Sequence, residues 1–134
     1  MFVDASAMVA IIAREPEAAA LTTRLESAPV RYTSPVAVLE TVMALRRLGA
    51  GSVHQAEQLV RHFLGSAEIE EITISARESA AAIAAYASYG KGQGHPAQLN
   101  LGDCFAYACA RTRNIPLLFV GNDFTQTDIV SATA

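Results

Sequence analysis

Asp4, Glu40, Asp103 and Asp123 stand far apart in this sequence, and together they offer one kind of chemistry. Separated carboxylates give oxygen-only donor sets. Such sets suit Mg²⁺ or Mn²⁺, hard cations that retain several waters. These ions polarise a phosphoryl oxygen and generate hydroxide from water. The same acids repel one another when no cation is present. Each also has a plainer explanation. Asp4, Asp103 and Asp123 fall where helices could start, and a carboxylate there caps amides and complements the helix dipole. Taken one at a time, capping is the commoner role for an acid so placed. Glu40 resists that explanation. Its helical neighbours at three and four residues are Val36, Ala37, Met43 and Ala44, so no Lys or Arg stands at pairing distance. A carboxylate buried among such residues is costly unless something neutralises it.

The elements around these acids alternate. Met1–Asp4 reads as a strand that runs directly into a helix over Ala5–Arg14. Pro16 fits the first turn of a second helix ending near Ser27. Val30–Thr33 is the next strand. Ser34–Pro35 is a cap followed by Pro at the first helical position, and Gly49 stops that helix after Leu48. Ser52 opens a helix to Leu64. Glu71–Ile74 is a strand, and Ser75 opens a helix to Tyr89. After a glycine-rich loop, Gly102–Asn114 is a helix and Leu117–Val120 an apolar strand. Asn122–Thr127 is a turn, and Ile129–Val130 is a candidate fifth strand.

Strand–helix alternation predicts an α/β domain: a central, mainly parallel sheet flanked by helices. Ligands in such folds bind beyond the carboxyl ends of the strands. Asp4 ends the first strand, and Asp123 lies just past the fourth. Glu40 lies in the second turn of the helix after the second strand. Asp103 opens the helix leading into the fourth. By connectivity alone, all four acids fall at one sheet edge.

Composition permits this reading. The 134 residues fit one domain, with 51% hydrophobic and 17% charged residues. That excludes a disordered chain. A formal charge of −3 argues against nucleic-acid binding by itself. Setting the four acids aside leaves nine against ten Lys and Arg, a remainder near +1. Cys104 and Cys109 project from different faces of one helix, and no CxxC is present, so zinc and thiol chemistry have little support. This cysteine usage suits a reducing cytoplasm. The apolar run Ala7–Ala13 has no basic residue before it and carries Asp4 instead, unlike a signal peptide. No stretch of about 18 apolar residues could span a bilayer. A soluble, cytoplasmic protein is expected.

Other features are weaker. The loop Gly90–Gly94 carries Lys91 but lacks the P-loop order and follows a helix. It reads first as a flexible connection, and second as an RNA-facing rim with Lys91 and His95. His54 and His62 are too far apart on one helix for joint metal binding. Arg46, Arg47 and Arg61 could meet phosphate or a partner's acids, although such residues usually form a solvated face.

Four stretches, in order, resemble the PIN-domain ribonucleases, and within them the VapC-type toxins of bacterial toxin–antitoxin pairs. They are Val3-Asp-Ala-Ser-Ala7, Pro35-Val-Ala-Val-Leu-Glu40, Leu99-Asn-Leu-Gly-Asp-Cys-Phe-Ala-Tyr-Ala108 and Val120-Gly-Asn-Asp-Phe-Thr-Gln-Thr-Asp128. The resemblance covers nearly the whole chain. It implies a three-layer PIN-like domain over residues 1–134. It matches Asp4, Glu40, Asp103 and Asp123 to the family's acidic quartet and Ser6 to a hydroxyl near the metal. Asp128 matches a less constant acid with no firm role. It further implies hydrolysis of RNA, transfer or ribosomal, with Mg²⁺ or Mn²⁺, a cognate VapB-type antitoxin that blocks the site, and a homodimer.

Three rivals are set against this. A receiver-type phosphotransfer domain needs adjacent acids after the first strand and an Asp after the third, where this chain has Ser75. A haloacid-dehalogenase-type phosphatase needs DxD at the first strand, where this chain has Asp4-Ala5-Ser6. A catalytically silent PIN-fold binding module would be expected to have lost acids of the quartet.

Overall fold

Serine caps set most of the helix starts. Ser34, Ser52 and Ser75 each accept a bond from a first-turn amide, and the last two close full capping boxes with Gln55 and Glu78. The computed structural model describes residues 1–133. Its helices are α1 (Ala5–Ile12), α2 (Ala18–Ser27), α3 (Pro35–Arg47), α4 (Val53–Ser66), α5 (Ala76–Tyr89) and α6 (Leu101–Arg113). α3 stops in a Schellman turn. Gly49, at φ 93°, sends its amide to Arg46 O, and Ala50 sends its own to Leu45 O.

The strands are β1 (Phe2–Val3), β2 (Tyr32–Thr33), β3 (Glu70–Glu71) and β4 (Leu117–Leu118). They form one parallel sheet in the order β3-β2-β1-β4. Phe2 sits opposite Tyr32 on one side and Leu117 on the other. Each strand is shorter than its sequence pattern suggests. β3 begins one residue early, and Ile72 adds only an amide bond to Thr33 O. The expected fifth strand is reduced to a single parallel bridge between Ser131 and Leu117. Its chain leaves the ladder as soon as Leu117 has bonded Val130 O and received the Ala132 amide.

The sheet divides the core in two because successive strand residues face opposite ways. Val3 and Leu118 point into one cluster with Met8, Leu21, Val38 and Val60. Phe2 and Leu117 point into the other with Leu99, Cys104, Cys109 and Phe124. Helices α1–α4 cover the first face, and α5 and α6 the second. This is the expected three-layer arrangement.

α5 and α6 are joined by a buried ion pair. Glu78 Oε2 accepts from the Ser75 amide at 2.9 Å and the Ser75 hydroxyl at 2.5 Å. Its Oε1 accepts from Arg113 at 3.1 Å. Those bonds, the Ser75 hydroxyl first, pull the Glu78 carboxyl from 4.5 to about 2. A carboxyl lowered on folding stabilises above its ordinary value, and that contribution disappears as pH falls toward about 2. Glu78→Gln should therefore lose about 2 kcal/mol in urea unfolding at neutral pH, because Arg113 is left unpaired. The difference from wild type should shrink on acidification from about pH 5 to pH 3. Equal stability at neutral pH would show that the pair contributes nothing.

Candidate active site

At the carboxyl end of β1 the chain turns straight into α1. Asp4 is the N-cap, and its Oδ2 accepts from the Ser6 amide at 3.0 Å and the Ser6 hydroxyl at 2.6 Å. The same Ser6 Oγ accepts from the Val120 amide at 3.0 Å. Ser6 thus fastens the end of β1 to the chain just beyond β4. Asp4 is 5% exposed. It does serve as a cap, as the plainer reading held, and it does so at the sheet edge where the other acids arrive.

Asp103 is the third residue of α6 rather than its first. Asn100 is the N-cap, and the two exchange bonds: Asp103 N to Asn100 Oδ1 at 2.9 Å, and Asn100 N to Asp103 Oδ2 at 3.1 Å. This occupies one carboxylate oxygen. Glu40 lies in the second turn of α3, half-buried. Its carboxylate rests on Gly102, the residue before Asp103. Asp123 is exposed in the turn after β4. It does not start a helix. Its neighbour Phe124, 2% exposed and packed at a tilt with its ring 5.1 Å from that of Phe119, anchors that turn in the core.

The four acids act on one another. Burial raises Asp4 above the ordinary carboxylate range, with Asp123 adding to the effect. Burial raises Glu40 to about 7, helped by the charges of Asp4 and Asp103. Burial raises Asp103 to about 6, with Asp123 and Asp4 contributing. Among the described residues, none of the four pairs with a cation; the ion pairs join Arg61 to Glu57 and Glu71, Arg111 to Asp128, and Arg113 to Glu78. The donor set is therefore all carboxylate, crowded and without a counter-charge, which fits a hard divalent cation. Among the described residues, no three or more His, Cys, Asp or Glu side chains are placed so that they alone could hold a metal ion. A cation that keeps several of its waters needs no such cluster.

A cleft of about 460 Å³ opens beside Glu40, the one acid of the four in its lining. Ser6 and Glu40 line it, Val9, Met43 and Val120 give it apolar walls, and Arg47 and Glu15 also face it. Nothing in the residue types distinguishes Arg47 from Arg46 or Arg61. Its position seven residues after Glu40, two turns along the same face, is a signal visible only afterwards. Gly102 was missed altogether.

The remaining candidates lie elsewhere. Asp128 accepts from the Tyr107 hydroxyl at 2.5 Å and pairs with Arg111 at 3.3 Å, and those bonds lower its carboxyl. The loop carrying Lys91 is pinned at its base by Lys91 N to Leu99 O and Leu99 N to Tyr89 O. His95 accepts from the Ala97 amide and packs edge-on to Tyr89. Neither Lys91 nor His95 lines the cleft with Glu40. His54 and His62 are exposed. Cys104 and Cys109 are buried and form no disulfide, as their spacing on one helix requires.

Comparison with known proteins agrees with this geometry. The PIN domain family model matches residues 1–130. The chain belongs to the PIN-domain family. A VapC ribonuclease of Rhizobium meliloti (strain 1021) is 41% identical, covering 96% of this chain and 98% of that protein. Ribonuclease VapC42 of Mycobacterium tuberculosis is 40% identical, with 96% of each chain covered. Ribonuclease VapC28 of the same species is 39% identical over 98% of this chain and 97% of its own. A chain in a toxin–antitoxin complex from Klebsiella pneumoniae shares the fold, with a TM-score of 0.71 at 21% identity over 99% of this chain and 97% of that one. Within the PIN family, then, the chain stands among the VapC ribonucleases. No helix among the described residues is long and apolar enough to cross a membrane.

The raised carboxyls give a sign to the pH dependence of stability. Without metal, the folded protein holds protons that the unfolded chain has released. The contribution of these raised acids is complete below ordinary carboxylate values, near 4. It is lost as pH rises through about 6 for Asp103 and about 7 for Glu40. In EDTA, the melting temperature should fall between about pH 5 and pH 8, and Asp103→Asn should flatten that fall. A wild-type profile that is flat or rising over this range would mean that the acids do not share a water-poor site.

Proposed function

We propose that this chain is a single-domain, metal-dependent endoribonuclease of the VapC kind. Its catalytic and metal-holding acids are Asp4, Glu40, Asp103 and Asp123. The observation that carries this reading is the edge of the sheet where Asp4, Glu40 and Asp103 are all raised by burial and by each other's charge, with no basic side chain to neutralise them. Ribonuclease activity is what the names of the VapC relatives give to those proteins.

The acids hold Mg²⁺ or Mn²⁺ directly or through water. When bound, such an ion supplies Lewis-acid stabilisation of phosphoryl charge and eases deprotonation of water. Ser6 holds Asp4 in place and binds the end of β4 to it. Glu40, raised to about 7, is the acid suited to orient water and accept its proton near neutral pH. The cleft leading from Glu40 to Arg47 fits an RNA strand, with apolar walls for bases and a guanidinium for a backbone phosphate. Transfer RNA and ribosomal RNA are the candidate substrates. A cognate VapB-type antitoxin that covers this edge, a homodimer and a cytoplasmic setting complete the reading. The alternative is a silent PIN-fold module that binds RNA or protein without cutting.

Cleavage of RNA should stop in EDTA and return with Mg²⁺ or Mn²⁺, and Asp4→Asn should abolish it while the protein stays folded. Cutting that persists in excess chelator would defeat the mechanism. Absence of cutting under every metal condition would favour the silent module.

The ends of the products provide a separate test. Attack by water with the 3′-oxygen as leaving group leaves a 5′-phosphate and a 3′-hydroxyl, whereas attack by the ribose 2′-hydroxyl expels the 5′-oxygen and leaves a 2′,3′-cyclic phosphate. End-labelling of cleaved RNA should reveal the first pair. Cyclic ends would overturn the mechanism even with the acids correctly assigned.

A further inference from the structure

Gly102 is a helical residue whose backbone does not require glycine. It lies inside α6, and its φ is not among the positive values found at Gly49, Gly51, Gly92, Gly94 and Gly121. Glycine at an ordinary helical position weakens the helix relative to alanine, through backbone entropy. Some other demand has to account for it here. A Cβ built on Gly102 would lie 2.0 Å from Glu40 Oε2, 2.4 Å from its Cδ and 2.5 Å from its Oε1. Its three nearest neighbours are thus the three atoms of one carboxylate, supplied by a residue 62 positions away in another helix. At Gly51 and Gly90 the same construction meets only a residue four positions away, Gln55 and Tyr86, and at Gly49, Gly65, Gly92, Gly94 and Gly121 it meets nothing within 4 Å.

We infer that Gly102 is a positioning residue: the space left by its missing side chain is the seat that holds the Glu40 carboxylate beside Asp103. This rests on the quartet being the metal and catalytic site. The inference concerns how Glu40 is kept there. The atoms that a methyl group would meet are the far end of a flexible side chain. Gly102→Ala is therefore relieved by rotating Glu40 away, with the two helices left where they are. That predicts a separation of stability from function. The variant keeps or gains thermal stability, and its Glu40 carboxylate leaves the site. Shortening Glu40 by one methylene should draw the carboxylate clear of the added methyl.

The test uses the full chain as wild type, Gly102→Ala, Glu40→Asp and the double variant. Three quantities are measured: melting temperature, Mn²⁺ affinity from the electron paramagnetic resonance of free Mn²⁺, and RNA cleavage. Gly102→Ala should melt no lower than wild type. Its turnover should fall about a hundredfold with KM nearly unchanged, as expected when one reacting group is displaced by about 1 Å. Its Mn²⁺ affinity should weaken about tenfold, the usual cost of losing a group that orients metal ligands. Glu40→Asp should lower turnover in the wild-type background and raise it in the Gly102→Ala background, a reversal of sign that a general packing defect does not produce. Wild-type turnover and Mn²⁺ affinity in Gly102→Ala would overturn the inference. So would a Gly102→Ala protein that unfolds and is not rescued by Glu40→Asp, since glycine would then serve packing alone. If wild type cuts no RNA, the ribonuclease reading fails by itself. Mn²⁺ affinity then decides: weakening in Gly102→Ala supports the seat, and an unchanged value overturns it.

Discussion

A carboxylate as enclosed as Asp4 costs several kcal/mol to ionise unless its surroundings compensate. Most of this molecule's architecture can be traced to that demand. Asp4 occupies the first turn after a two-residue strand, so its backbone is fixed by β1 on one side and α1 on the other. Ser6 supplies two donors to it and spends its remaining capacity on the Val120 amide. These bonds lower the cost of the charge without removing it, because burial still prevails and the carboxyl stays raised. A structure that only needed a helix cap would have placed it in water. Here the cap is enclosed and two further acids are set against it.

The sheet that carries this arrangement is minimal. Four strands of two residues cannot be held by their own ladders, since isolated strand pairs of even greater length are marginal in water. Packing from both sides supplies the stability. Phe2, Val3, Leu117 and Leu118 are all fully buried, and they alternate between two separate clusters. β1 and β4 behave as pins driven through the centre of the molecule, with helices gripping each end. The short strands also account for the shape of the site. Asp4 follows β1 immediately, and Asp123, five residues past β4, is near enough for its charge to raise Asp4 and Asp103.

Much of this was legible from residue types. Serine, proline and glycine at helix ends are local signals, and Ser34, Ser52, Ser75 and Gly49 act as their types require. Alternation of strands and helices was enough to bring Asp4, Glu40, Asp103 and Asp123 toward one edge, since connectivity alone decides that. Strand lengths were not legible. Leu117–Val120 is uniformly apolar, yet only Leu117 and Leu118 find partners, because pairing depends on where neighbouring chains diverge. Nor could sequence place Asn100 ahead of Asp103 as the cap of α6, since either residue caps well. Gly102 was invisible for a different reason. Its role lies in contact with a side chain 62 residues distant, and no local pattern encodes that.

The acids of this chain sort themselves by whether their demand is met. Glu78 is as buried as Asp4, but the Ser75 hydroxyl and amide and the Arg113 guanidinium answer its charge, and its carboxyl is lowered to about 2. Asp128 is answered by the Tyr107 hydroxyl and Arg111, and it too is lowered. Both tie segments together: α5 to α6 in one case, and the chain after β4 to α6 in the other. Asp4, Glu40 and Asp103 are shifted the opposite way, at a single edge, and among the described residues no guanidinium or ammonium is ion-paired with them. Position at a helix start does not separate the two groups, since Glu78 and Asp103 both occupy the third position of a capping box. The difference is the counter-charge. Where the fold supplies one, the acid is a structural joint. Where the fold withholds it from three acids together, protons relieve the charge when nothing else is bound, and oxygen donors of this kind suit a hard divalent cation.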